Sequence, residues 1–127
     1  MLPNEIEEFA KILIKQVRDS AVRSCDEQTL PTMNTPIAKR WRAMLNNGDI
    51  EGLQKMMISD CVDETLFYLL QALDQGVLNI SFNANNGKRI DLSEEGLGEL
   101  SGWYMGSGGW RSQYSQVRFT DDFSDLA

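Results

Sequence analysis

Over the first 25 residues the apolar positions gather on one side of a helix. Ile6, Phe9, Leu13, Val17 and Ala21 recur in steps of three or four, with polar residues between them. This pattern predicts an amphipathic helix over 4–25, with Asn4 and Glu7 as its N-terminal capping pair. Lys11, Lys15 and Arg18 repeat at i, i+4 and i+7 on another face, which reads as a solvated stripe. Residues 29–35 contain Pro31 and close on Thr35-Pro36, so a loop is expected to lead into a capped helix over 36–46. Ile37, Trp41, Met44 and Leu45 are its core candidates, and Gly48 marks its end. Asp49 is placed to cap a short helix through Met57. Ser59 and Asp60 are expected to stop that helix and cap the next.

The segment 61–75 carries the strongest helical signal. Val62, Leu66, Leu69, Leu70 and Leu73 form a wide apolar stripe, with Phe67 and Tyr68 beside it and Gly76 as terminator. The period then changes from helical to two. Leu78, Ile80, Phe82 and Ala84 alternate with Asn79, Ser81 and Asn83, and Ile90 and Leu92 alternate with Arg89 and Asp91. A two-residue turn at Asn86-Gly87 would set Phe82 against Asp91. A three-residue turn over 85–87 pairs Phe82 with Ile90 and Ile80 with Leu92, keeping the apolar face whole, with Gly87 left-handed. Such a hairpin is marginal alone in water, so it must lie on the helices or pair with a second copy.

Ser93 is expected to cap a helix reaching about 104, with Glu94 and Glu95 in its first turn. Within it, close approach of another backbone is the expected reason for Gly98 and Gly102. Gly106 to Gly109 reads as a loop, and 110–118 fits neither period clearly. Phe119, Phe123 and Leu126 recur at i, i+4 and i+7 opposite Asp121, Asp122 and Asp125, a short amphipathic helix with Thr120 as its cap. The predicted fold is α+β: four to five helices packed around a single antiparallel β-hairpin, in one domain over 1–127.

Composition narrows the function. The chain has 127 residues, 42% hydrophobic and 24% charged, enough apolar material for a core without disulfides or metals. Its formal charge is −7, of which residues 61–127 carry −6, from 10 acidic and 4 basic side chains. That balance favours a basic protein partner and opposes phosphate backbones, even with Lys39, Arg40 and Arg42 added to the stripe of Lys11, Lys15 and Arg18. No apolar run is long enough to span a membrane, and charges interrupt the first one, so a cytoplasmic protein is expected. Cys25 and Cys61 share no metal-binding spacing. They suit packing as free thiols in a reducing compartment, with a disulfide as the lesser alternative.

The chain contains no histidine, which removes His-based nucleophilic triads and His-ligated metals. Asp60, Asp63, Glu64, Glu94 and Glu95 cluster at expected helix starts, where capping explains them without a metal. Gly106-Ser107-Gly108-Gly109 lacks the Lys-Ser/Thr ending of a phosphate loop and follows no strand. No catalytic residue, metal or cofactor is assigned. The unusual stretch is 98–123, which holds six of the eleven aromatic residues. Its rings either complete the core or form a surface, and Trp, Tyr and Arg are the common anchors of interfaces. Trp103, Trp110, Arg111, Tyr114, Asp121, Asp122 and Phe123 are therefore the candidate partner-binding residues of a non-catalytic, inhibitor- or immunity-like module. The alternative is a small-molecule binder or enzyme built on the aromatic, glycine-rich segment 98–118. Self-association through the hairpin is a further expectation.

Overall fold

The computed structural model describes residues 3–122. The chain folds as α+β, mostly helical with one antiparallel hairpin. Its N-terminal arm is one continuous helical rod: α1 (Asn4–Ile12), a π-helical stretch (Leu13–Arg18) and α2 (Asp19–Gln28). The π stretch follows from the spacing of the apolar residues. Leu13, Val17 and Ala21 are four apart, and each four-residue step in an α-helix overshoots a full turn by about 40°. Wider π turns rotate less per residue and keep these side chains on one side. Val17 and Ala21 are buried there, whereas Ile6 and Phe9 remain exposed. The expected Asn4 cap is not formed. Pro3 is the N-cap residue, and its carbonyl accepts from the Ile6 and Glu7 amides.

Thr35 caps α3 (Pro36–Asn46), accepting from the Ala38 amide at 3.1 Å. Asp49 caps the next helix through the Gly52 amide at 3.0 Å. That helix, α4 (Ile50–Asp74), runs unbroken for 25 residues, which corrects the expected stop at Ser59 and Asp60. The Ser59 hydroxyl instead bonds back to the Met56 carbonyl at 3.1 Å, which lets serine sit inside a helix. Asp60 turns inward and is buried.

The main core gathers Val17, Ala72, Leu73, Leu78 and Leu100, with Leu69, Leu70, Ile80, Leu92 and Trp110 packed against it. The stripe on α4 is therefore buried only at its C-terminal end. Leu73 is 2% exposed, whereas Leu66 and Val62, expected in the core, face outward.

The hairpin of β1 (Ser81–Asn83) and β2 (Arg89–Asp91) has the register that its hydrophobic face requires, Phe82 opposite Ile90. Gly87 has φ 84°, and the Leu92 amide bonds the Ile80 carbonyl at 2.9 Å. Ile80 and Leu92 tie the hairpin to the core, but Phe82 lies more than half exposed.

The expected helix over 93–104 is two. Asp91, not Ser93, caps α5 (Leu92–Glu95) by accepting from the Ser93 and Glu94 amides at 2.9 and 3.2 Å. The chain then breaks at Leu97 and Gly98, both at positive φ, and restarts as α6 (Leu100–Met105). Gly98 serves the break itself, and no other backbone approaches it or Gly102. After the glycine-rich turn comes α7 (Trp110–Tyr114). The turn demands glycine at 109, because a Cβ there would run into the Trp103 carbonyl oxygen. Residues 117–121 are not helical, so Phe119 begins no helix. Phe123, Asp125 and Leu126 of the expected C-terminal helix lie outside the described residues. No helix among the described residues is long and apolar enough to cross a membrane.

Leu73→Ala is expected to lose about 2–5 kcal/mol, and the outward Leu66→Ala about 1 kcal/mol or less, by urea unfolding. Gly87→Ala should cost roughly 1 kcal/mol, because a Cβ is disfavoured at positive φ.

Candidate functional site

Four acidic side chains of α4 each grip a different part of the chain. Asp60 accepts from Trp41 Nε1 at 2.7 Å and from Arg40 Nη2 at 2.8 Å, fastening α3. Arg40 Nη1 also donates to Asp122, so the chain end of the described region is pinned to the same cluster. Glu64 accepts from the Ser24 hydroxyl at 2.6 Å, joining α2. Asp74 accepts the Leu100 and Ser101 amides at 2.9 and 3.0 Å, supplying the N-terminal cap that α6 lacks locally. Asp63 holds the opposite end of α6. It accepts from the Tyr104 hydroxyl at 2.7 Å and from Arg111 Nη1 at 2.9 Å.

Arg111 is the most engaged of these groups. Its Nη2 and Nε donate to the Met105 and Tyr104 carbonyls at 2.9 and 3.3 Å, covering carbonyls left open at the end of α6. The guanidinium also lies over the rings of Phe119 and Tyr104, 5.0 and 5.7 Å from their centroids. The Asp63–Tyr104–Arg111 network forms the floor of an open groove with a volume of about 500 Å³. Ile58 and Val62 of α4 form one wall, and Trp110, Tyr114, Val117 and Phe119 the other. The walls are apolar and outward: Ile58 is 57% exposed, Val62 54%, Tyr114 74% and Val117 68%.

The electrostatics show a settled floor. Burial pushes the Tyr104 phenol up, and the hydrogen bond to Asp63 adds to that, with Arg111 opposing. For Arg40, burial acts to lower the guanidinium, but the hydrogen bond and charge of Asp60, then Asp122, outweigh it and raise it. Among the described residues no three acidic or cysteine side chains converge to hold a metal. The floor groups satisfy one another, and the Ser59 and Ser115 hydroxyls are bonded to backbone carbonyls. The arrangement offers apolar contact area on a fixed polar base, with the exposed cation Arg118 in the groove lining.

The residues singled out in the sequence are thus divided. Tyr114 stands on the groove wall, and Trp110 lines the groove while packing on the core. Trp103 lies outside the groove, partly exposed, its ring 6.2 Å from that of Trp110. Arg111 is buried beneath the surface. Asp122 is turned to Arg40, and Asp121 accepts from the Ser107 hydroxyl at 2.9 Å, so neither heads an open acidic face. Phe123 lies outside the described residues. Asp60 and Asp63, expected to cap helices or sit at the surface, are instead half or fully buried ion-pair partners. Arg40, one of the cations considered for nucleic acid, is held by two carboxylates. Ile58 and Val62 were not foreseen as surface. The absence of any glycine or proline between Gly52 and Gly76 is the signal that α4 continues through them. Comparison with protein-family models, curated proteins and solved structures returns no match.

Asp60→Ala should destabilise by about 3–5 kcal/mol in thermal or urea unfolding, because it leaves Arg40 buried without its main partner. The folded state holds the Tyr104 proton more tightly than the unfolded chain does. Its contribution is therefore full below the ordinary value of 10.0 and is lost as pH rises through the higher folded value. As pH rises from 10.0 toward the folded value, stability should fall less steeply in Tyr104→Phe, and the same variant should lack the last phase of the tyrosinate absorbance titration.

Proposed function

We propose that this chain is a non-catalytic protein-binding module of the inhibitor or immunity kind, docking a protein partner in the groove between α4 and the segment 110–119. The observation that carries the reading is the outward apolar wall pair, Ile58 and Val62 facing Tyr114 and Val117, set over a rigid buried ion pair. Contiguous apolar surface of this kind marks interaction sites on soluble proteins. Trp110, packed on the core beside these walls, loses little freedom on binding. The net charge of −7 favours a basic partner and speeds its approach through the long-range field. Asp121 and Asp122, engaged within the chain, are not assigned to the contact itself.

The small-molecule reading has one observation in its favour, a volume within the range of ligand sites. Walls exposed by half or more enclose a small ligand poorly, which favours a protein surface. Self-association is the competing occupant, since Phe82 on the hairpin is also exposed.

The paired Ile58→Asp, Val62→Asp variant should retain its melting temperature within a few degrees and lose the partner. A photo-crosslinking residue at 114 should label one predominant protein in the native host, and one at exposed Glu8 should not. Equal labelling from both positions, or capture that survives the paired variant, would remove the groove as the interface. Labelling of the chain by itself would assign the groove to a homo-oligomer. Trp110→Ala and Asp122→Asn are poor probes, because both positions also hold the fold.

A further inference from the structure

Beside the Ser24–Glu64 tie, the two cysteines of the chain come to one cleft. Cys25 follows Ser24 on α2, and Cys61 lies one turn before Glu64 on α4, so one helix contact carries both pairs. The thiols are free and half-buried, and they line a common cleft of about 230 Å³ with Ala21, Val22 and Thr65. From these positions we infer that Cys25 and Cys61 are a reversible oxidation site, at which a hydroperoxide joins them in a disulfide that staples the N-terminal rod to α4.

Three features support this. The two cysteines sit on packed helices, α2 and α4, and line one cleft, so closing the bond requires no new fold. The cleft gives a small oxidant access that a sealed core would deny. The thiols also sense one another: burial first, then the hydrogen bond to Cys61 and its charge, with Glu64 and Asp26 behind, push the Cys25 thiol up to about 12. A thiolate is the attacking species, and burial disfavours one at Cys25, so in the proposed sequence Cys61 attacks first and Cys25 resolves. The Cys61 sulfur attacks one peroxide oxygen, the O–O bond breaks, and the alcohol or water leaves with Cys61 as the sulfenic acid. The Cys25 sulfur then attacks the Cys61 sulfur, and the S–O bond breaks. The departing hydroxide takes the Cys25 proton as water. In total the two thiols give up two electrons and two protons, and the hydroperoxide is reduced to an alcohol, or water, plus water. A dithiol reductant reverses the product by exchange.

The test is hydrogen peroxide on the reduced 127-residue chain. Wild type should become lighter by two hydrogen atoms and remain monomeric. Peptide mapping without reductant should show the 25–61 cross-link, and both sulfurs should resist alkylation until dithiothreitol is added. The bond closes a long loop, so the oxidised form should melt roughly 10 °C higher than the reduced one. Cys25→Ser should stop at a Cys61 sulfenic acid trapped by dimedone, and Cys61→Ser should react much more slowly. The mapping on wild type stands even if either variant folds poorly. Separate sulfinic acids on each cysteine, or cross-links only between chains, would overturn the assignment.

Discussion

Everything in this fold leans on one helix, α4, and on the carboxylates that it carries inward. At about 100° per residue, Asp60, Asp63, Glu64 and Asp74 fall within about 100° of arc on its surface. Spread along its length, they reach α3, α6 with α7, α2, and the start of α6 in turn. Asp60 is buried and the other three are half-buried, so each site must supply donors that compensate for lost water. Here each does, with an arginine and an indole, an arginine and a phenol, a hydroxyl, or two amides. Such pairs add little net stability over apolar replacements. They do specify a single arrangement, because any shifted packing strands a charge.

That role matters more because the apolar core is thin. Among the described residues no large side chain is completely buried, and the main cluster is built from five residues at the distal end of α4. Around Asp60 and Asp63, at the middle of the helix, polar ties take the place of a second core. The outward apolar residues Ile58 and Val62 follow directly. With one side of the middle of α4 turned to arginines, the other side has no helix to cover it. The groove is the uncovered half of a helix whose other half is fastened by charge.

How much of this the sequence foretold depended on the distance over which each decision was made. The hairpin register was legible, because a slip of one residue would have moved Phe82 opposite a carboxylate. Thr35-Pro36 and Asp49 marked helix starts correctly, since a cap and its amides lie within three residues. Asp60 was misread by the same logic. A carboxylate that caps and one that pairs in the interior look alike locally, and the groups that decide, Arg40 and Trp41, lie 20 and 19 residues away. Arg111 was noticed as unusual but placed on the surface, since its partner Asp63 is 48 residues distant. Likewise Asp74 caps a helix that begins 26 residues later, and no local pattern announces that. Leu66 and Val62 fit an apolar stripe without being core. Periodicity tells which face of a helix is apolar, and only the neighbouring elements decide whether that face is covered.

The groove and the ion pair beneath it are best understood together. An apolar wall standing on an exposed arginine would be mobile, and a partner would have to order it on binding. With Arg111 fixed by Asp63, two carbonyls and two rings, and Trp110 packed on the core, the backbone entering α7 is held before any partner arrives, while Tyr114 projects outward from it. The ordering cost then falls on folding rather than on binding, which is the general route to affinity from a small contact area. The charges of the pair cancel locally, so the floor neither repels nor selects a charged ligand. Selectivity is left to the apolar shape of the walls and to exposed Arg118 in the groove lining, and steering to the negative field of the whole chain. A buried ion pair under an apolar surface is therefore a coherent way to make a firm docking face on a domain with little core to spare.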